Sequence, residues 1–247
     1  MDEQLTTPAS FTLATPALRD RVVLWGGIVI ISALAWIYLY IMPMGASSWL
    51  LDFTLMFLMW AVMMVAMMLP SAAPMLAMYA RIASGRAGSH PYHVWMFTAG
   101  YFAAWTGFSL AVTALQYPLE SASILSPALR TGSVAGGVIL TAAGIYQLTP
   151  LKNACLKWCR SPIGFFMTNW RDGAGGAFKM GLDHGVFCTG CCWMLMALLF
   201  VAGAMNLLWV AAISILVLLE KAAPYGRAIA YVSGVAMIGA GVVLMIR

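Results

Sequence analysis

From residue 52 to residue 80 the chain reads DFTLMFLMWAVMMVAMMLPSAAPMLAMYA, and Asp52 is its only Asp, Glu, Lys or Arg. A run of that length and polarity crosses the roughly 30 Å hydrocarbon core of a bilayer. It does so as a helix, because lipid leaves every backbone N–H and C=O to be satisfied inside the segment. Six further apolar runs, bounded by Pro, Gly and charge, repeat the pattern at 22–42, 92–116, 131–150, 180–203, 206–222 and 226–246. The run 206–222 has 17 residues, near the lower limit for a crossing. The expected fold is therefore all-α: a polytopic transmembrane helical bundle of about seven spans, or six if 206–222 does not cross. Composition agrees, with 63% hydrophobic and 9% charged residues among 247, against about half and a quarter in soluble domains.

Organisation follows from the same runs. Residues 1–21 form a polar N-terminal tail that begins with acids and lacks the basic region and small-residue cleavage site of a secretory signal, so no cleavage is expected. Residues 22–247 form a single transmembrane domain. Charge provides an independent check. With the N-terminus in the cytoplasm, the inner side collects Arg19, Arg21, Arg81, Arg86, Lys152, Lys157, Arg160, Arg171, Lys179, Lys221 and Arg227, and only Arg130 and Arg247 fall outside. That asymmetry is the positive-inside bias, and it absorbs the net charge of +5 with no nucleic-acid footprint left over. The longest connection, 151–179, holds five of the basic residues and GAGG at 173–176. It reads as a cytoplasmic loop with some amphipathic helix at the lipid surface. Gly132 with Gly136, and Gly181 with Gly185, make GxxxG spacings that let helices approach closely.

Against this background the stretch GLDHGVFCTGCCWMLM, 181–196, stands out, with Asp183, His184, Cys188, Cys191 and Cys192 inside ten residues. On a helix His184, Cys188 and either Cys191 or Cys192 follow one another at intervals of three or four and share a face. Asp183 lies about 100° away. The next helix returns through a turn near 203–206. From about residue 205, Cys191 is 14 residues back and Glu220 is 15 forward, so both sit about 21 Å from the turn. A carboxylate, an imidazole and up to three thiols are thus expected at one depth. Each residue alone has an ordinary reading: buried cysteines pack, and Glu220 with Lys221 is a snorkelling pair at a helix end. Ionisable groups inside spans are costly, however, and here the few that exist fall at one level, which points to a shared polar site.

A second feature belongs to the 52–80 run. Met63 with Met67, and Met64 with Met68, have the MxxxM spacing that stacks thioethers along a helix, and Pro70 and Pro74 follow, each removing a backbone bond one turn back. Such a kink often lines a site, while methionine is also the common filler of cores. As ligands the methionines select a soft ion, Cu(I) first and Zn(II) next; zinc needs only the Cys, His and Glu groups. The remaining cysteines, Cys155 and Cys159, lie on one helical face in LTPLKNACLKWCRSP and are expected to be reduced on the cytoplasmic side. They read as a port towards the membrane site or as inert packing.

MMVAMMLPSAAPM (63–75), YQLTPLKNACLKWCRSP (146–162), MGLDHGVFCTGCCWMLMALLF (180–200), GAMNLLWVA (203–211) and LEKAAPYG (219–226) resemble a bacterial family of predicted metal-binding integral membrane proteins. The resemblance covers nearly all of the chain from about residue 25. It implies a bacterial inner-membrane protein that binds metal, with His184, Cys188, Cys191, Cys192 and Glu220 as the ligand positions, and it names no reaction. Asp183, Met63, Met64, Met67, Met68, Cys155 and Cys159 are secondary candidates. The expected cargo or cofactor is a transition metal ion, copper before zinc, used for metal handling or in a membrane complex. The expected partners are the lipid bilayer and a membrane or metal-donor protein. Two other classes stay open: a thiol-disulfide oxidoreductase using the CxxC at 188–191, and a non-catalytic structural membrane subunit. With only His90, His93 and His184 available, a multi-histidine oxygenase centre is hard to build.

Overall fold

The computed structural model describes residues 18–41, 49–86, 90–121, 133–203 and 206–246. The tail up to residue 17, Arg130, Gly132, Arg247 and the middle of the turn at 204–205 lie outside the described residues, together with the expectations placed on them. Every element among the described residues is helical: α1 (Leu18–Ile41), α2 (Trp49–Ser84), α3 (Tyr92–Ser121), α4 (Ser133–Leu148), α5 (Pro150–Arg160), α6 (Pro162–Asn169), α7 (Gly173–Ala197), α8 (Leu199–Ala202), α9 (Leu207–Ala222) and α10 (Gly226–Ile246).

The chain is a multi-pass membrane protein. Leu18–Ile41, Asp52–Ser84, Gly173–Val201 and Gly226–Ile246 are long and apolar enough to cross, and the pair Val134–Leu148 and Pro150–Arg160, bent by 64°, raises the number to five. The other two expected runs exist as helices of a different character. α3 has 30 residues but buries Thr98, Ser109, Thr113 and Gln116, with Gln116 accepting a 2.6 Å hydrogen bond from Trp60. α9 has 16 residues, about 24 Å of helix.

Two local features position the site. First, α4 stops and α5 restarts at Thr149–Pro150, where Thr149 Oγ caps the new helix by accepting from Lys152 N–H and proline takes the first turn, where its missing N–H costs nothing. The segment 151–179 is consequently largely helical. α5 turns Lys152 and Leu156 into the protein and packs on α7, α4 and α9. α7 begins at Gly173, with φ of +77°, seven residues before the run of hydrophobics that announced it. Second, α3 and α7 touch backbone to backbone. A Cβ on Gly100 would collide with Phe178 O, one on Gly181 with Phe97 O, and one on Gly185 would press on Tyr101 O. This contact sets the ring of Tyr101 against the centre of α7. α2 remains one helix through Pro70 and Pro74.

Candidate metal centre

The 3–4 spacing along α7 has its expected result: His184, Cys188, Cys191 and Cys192 all face inward, each no more than 3% exposed. Cys188 is the hub. Its Sγ lies 3.0 Å from Tyr101 Oη of α3 and accepts a hydrogen bond from Lys221 Nζ of α9, also at 3.0 Å. The same ammonium donates to Ser71 Oγ of α2 at 3.1 Å. Cys191 and Cys192 donate their thiols to Cys188 O at 3.1 and 3.0 Å, bonds that a helix permits at i−3 and i−4. From α5, Cys159 Sγ reaches to 3.9 Å from Cys191 Sγ and also interacts with Cys188. Cys155 packs over Gly190, where an added Cβ would come within 2.9 Å of its Sγ. All five cysteines are free thiols, and Cys155 and Cys159 are the two that remain partly exposed.

His184 sits one turn from the thiols in an aromatic enclosure. Its ring stacks on Tyr101 at 5.6 Å and Phe97 at 6.2 Å, with Phe165 edge-on at 5.6 Å. Its buried Nδ1 has no hydrogen-bond partner among the described residues, leaving a lone pair or proton uncommitted. Met63, Met64, Met67 and Met68 are buried in the same apolar cluster as Cys188, Cys191 and Cys192. Asp183 turns away, into an i,i+4 ion pair with Lys179 at 2.7 Å.

Glu220 is buried but occupied. One carboxylate oxygen accepts from Gln147 Nε2 at 2.6 Å and the other pairs with Lys152 Nζ at 2.6 Å; Lys152 also donates to Gln147 Oε1, and Gln147 to Ser233 Oγ at 3.0 Å. Arg160 closes the end of α9, donating to the carbonyls of Glu220, Ala223 and Pro224 at 3.0, 2.8 and 3.0 Å, which suits a cation at a helix C-terminus. Glu220 therefore turns towards α4 and α5, while its neighbour Lys221 meets the thiols. Lys221, Tyr101, Ser71, Lys152 and Gln147 are the participants that sequence reasoning missed. Only Lys221 had a signal, since the turn arithmetic that sets the depth of residue 220 sets that of residue 221 as well.

The side chains present suit a soft ion: buried thiols and thioethers are the chemistry that favours Cu(I). The 3.9 Å between Cys159 and Cys191 is far beyond a covalent S–S bond of ~2.05 Å. It is the spacing of two thiols in S–H···S contact. Among the described residues no three His, Cys, Asp or Glu side chains converge as a ready-made cage.

The fold is that of a multi-pass membrane protein whose interior holds a cluster of buried thiols. The model of the copper chaperone family PpoB2 matches residues 57–244, and the chain belongs to that family. No curated protein and no solved structure matches the chain. Membership implies copper binding and a copper-receiving partner.

Proposed function

We propose that this protein holds Cu(I) inside the membrane at the thiols of α7 and yields it to a membrane-bound acceptor. The observation that supports this most is the placement of Cys188, Cys191 and Cys192 in one buried cluster with Met63, Met64, Met67 and Met68 of α2, against which Cys159 of α5 packs 3.9 Å from Cys191. Cys188, Cys191, Cys192 and His184 are the ligand positions. Glu220 serves the site by fixing α5 through Lys152, which holds Cys159 in place. Cys155 and Cys159, partly exposed, form the port through which a metal-donor protein loads the site by thiol exchange. Met63, Met64, Met67 and Met68 offer weaker soft contacts, and Zn(II) is the competing ion. The membrane is the bacterial inner membrane, crossed seven times with the N-terminus inside, as the distribution of Lys and Arg suggests.

Metal analysis of detergent-purified protein tests the core of this reading. Copper near one per chain is expected in the parent and none when Cys188, Cys191 and Cys192 are all replaced by Ser; equal copper in both would refute it. Glu220→Gln and His184→Ala should each weaken retention at least about tenfold, as loss of a ligand or its supporting partner commonly does. Reporter fusions after Ala87 and Gly175 should both read cytoplasmic, and a periplasmic signal at either reverses the topology.

A further inference from the structure

Lys221 of α9 lies beside the thiols without being one of the proposed ligands. Its side chain is 9% exposed, and a buried ammonium must find compensation. Three ion pairs exist among the described residues, Arg86–Asp172, Lys152–Glu220 and Lys179–Asp183, and Lys221 is in none of them. Its nitrogen instead meets Cys188 Sγ and Ser71 Oγ. The other cations nearby are spoken for: Lys152 is neutralised by Glu220, and Arg160 is turned onto carbonyls at the end of α9. Among the described residues Lys221 thus meets no carboxylate, and its nitrogen is held 3.0 Å from the sulfur of a candidate metal ligand.

We propose that Lys221 is the charge-selecting residue of the site, its tethered ammonium balancing a monovalent ion held by two thiolates and opposing a divalent one. The inference rests on the reading of the α7 thiols as the copper site. It takes Cys188 as one ligand and one of the three thiols beside it, Cys159, Cys191 or Cys192, as the second. On loading, the two thiols release two protons, to the departing thiolates of a donor or to buffer, and no electrons move. Cu(I) between two thiolates carries a net charge of −1, and Lys221 brings the buried assembly to zero. A divalent ion between the same thiolates is already neutral, so Lys221 leaves it at +1 in a low-dielectric interior, where an unpaired charge is expensive. Softness alone separates Cu(I) from Zn(II) imperfectly, because thiolates bind both. A fixed cation discriminates by charge, which softness cannot do.

Ag(I) and Cd(II) separate the two effects, since both are thiophilic and they differ in charge. Competition for the copper site of detergent-purified protein is measured with each ion against a thiol chelator, in the parent and in Lys221→Gln, Lys221→Met and Lys221→Arg. In the parent Ag(I) should displace Cu(I), while Cd(II) at equal concentration should not. The neutral variants should narrow the Ag(I)-over-Cd(II) preference at least about tenfold, reflecting one uncompensated buried charge, and Lys221→Arg should keep it. Cd(II) displacing Cu(I) from the parent as readily as Ag(I) overturns the inference without needing any variant, so it stays testable even if the neutral substitutions do not fold. An unchanged preference in the neutral variants overturns it too while leaving the copper site intact. A parent that holds no copper removes the underlying reading first, before any ion is compared.

Discussion

Two lysines lie buried in this protein, and they are compensated in opposite ways. Lys152 of α5 has a carboxylate at 2.6 Å, Glu220, and an amide, Gln147, completing a closed set that continues to Ser233. Lys221 of α9 has no carboxylate and meets Cys188 and Ser71. The first node ties α4, α5, α9 and α10 together; the second ties α2, α3, α7 and α9. They share α9, where Glu220 and Lys221 are consecutive residues pointing about 100° apart. The contrast separates two jobs. A closed ion pair is complete in itself and frames the structure, whereas an ammonium held on a sulfur and a hydroxyl responds to whatever charge the thiols carry.

The largest effect expected from breaking this comparison is Glu220→Ala. It strands Lys152 in the interior, and removing one partner of a buried pair commonly costs about 3–5 kcal/mol. Thermal unfolding in detergent should show the loss, and the double variant Lys152→Met with Glu220→Met should recover most of it. A double variant no better than Glu220→Ala would mean that the pair does not act as a unit. Next comes Gly181→Leu, which drives a side chain into the Phe97 backbone. Overpacking of this kind costs about 1–3 kcal/mol, and because it pushes α3 off α7 it should also lower copper occupancy by moving Tyr101 from Cys188. Unchanged stability would mean that the helices separate easily. Smallest is Ser71→Ala, worth about 1 kcal/mol for one hydrogen bond. It leaves the charge of Lys221 in place, so stability should fall slightly while the Ag(I)-over-Cd(II) preference holds; a collapse of that preference would show that hydrogen bonding, and not charge, sets selectivity.

The parts legible in the sequence were those governed by periodicity. The inward face of α7 followed from a 3–4 spacing that any helix obeys, and the depth of α9 followed from counting residues to the turn. Depth does not determine rotation about the helix axis, and rotation decides whether Glu220 or Lys221 meets the thiols. α5 was harder to read because the partner of its buried lysine is remote in sequence. Lys152 finds its counter-charge 68 residues away, and no local pattern reports such a partner. Tyr101 and Ser71 were silent for another reason: in an apolar span they look like ordinary packing, and only the close contact of α3 with α7 gives Tyr101 a role. The methionines of α2 announced a buried face, but burial is what both a core and a ligand set require.

The account stands or falls on sulfur-bound copper in the interior. Copper K-edge absorption on the detergent-purified parent protein, paired with thiol trapping of the same sample, measures it most directly. The expected spectrum is that of Cu(I) with a first shell dominated by sulfur, lost in the variant with Cys188, Cys191 and Cys192 replaced by Ser, and all five cysteines should be trapped reduced after the metal is stripped. Cu(II) in a nitrogen and oxygen shell would contradict it. So would a protein without copper in which Cys188 and Cys191 are recovered as a disulfide responsive to quinone supply, which would identify a thiol oxidoreductase instead.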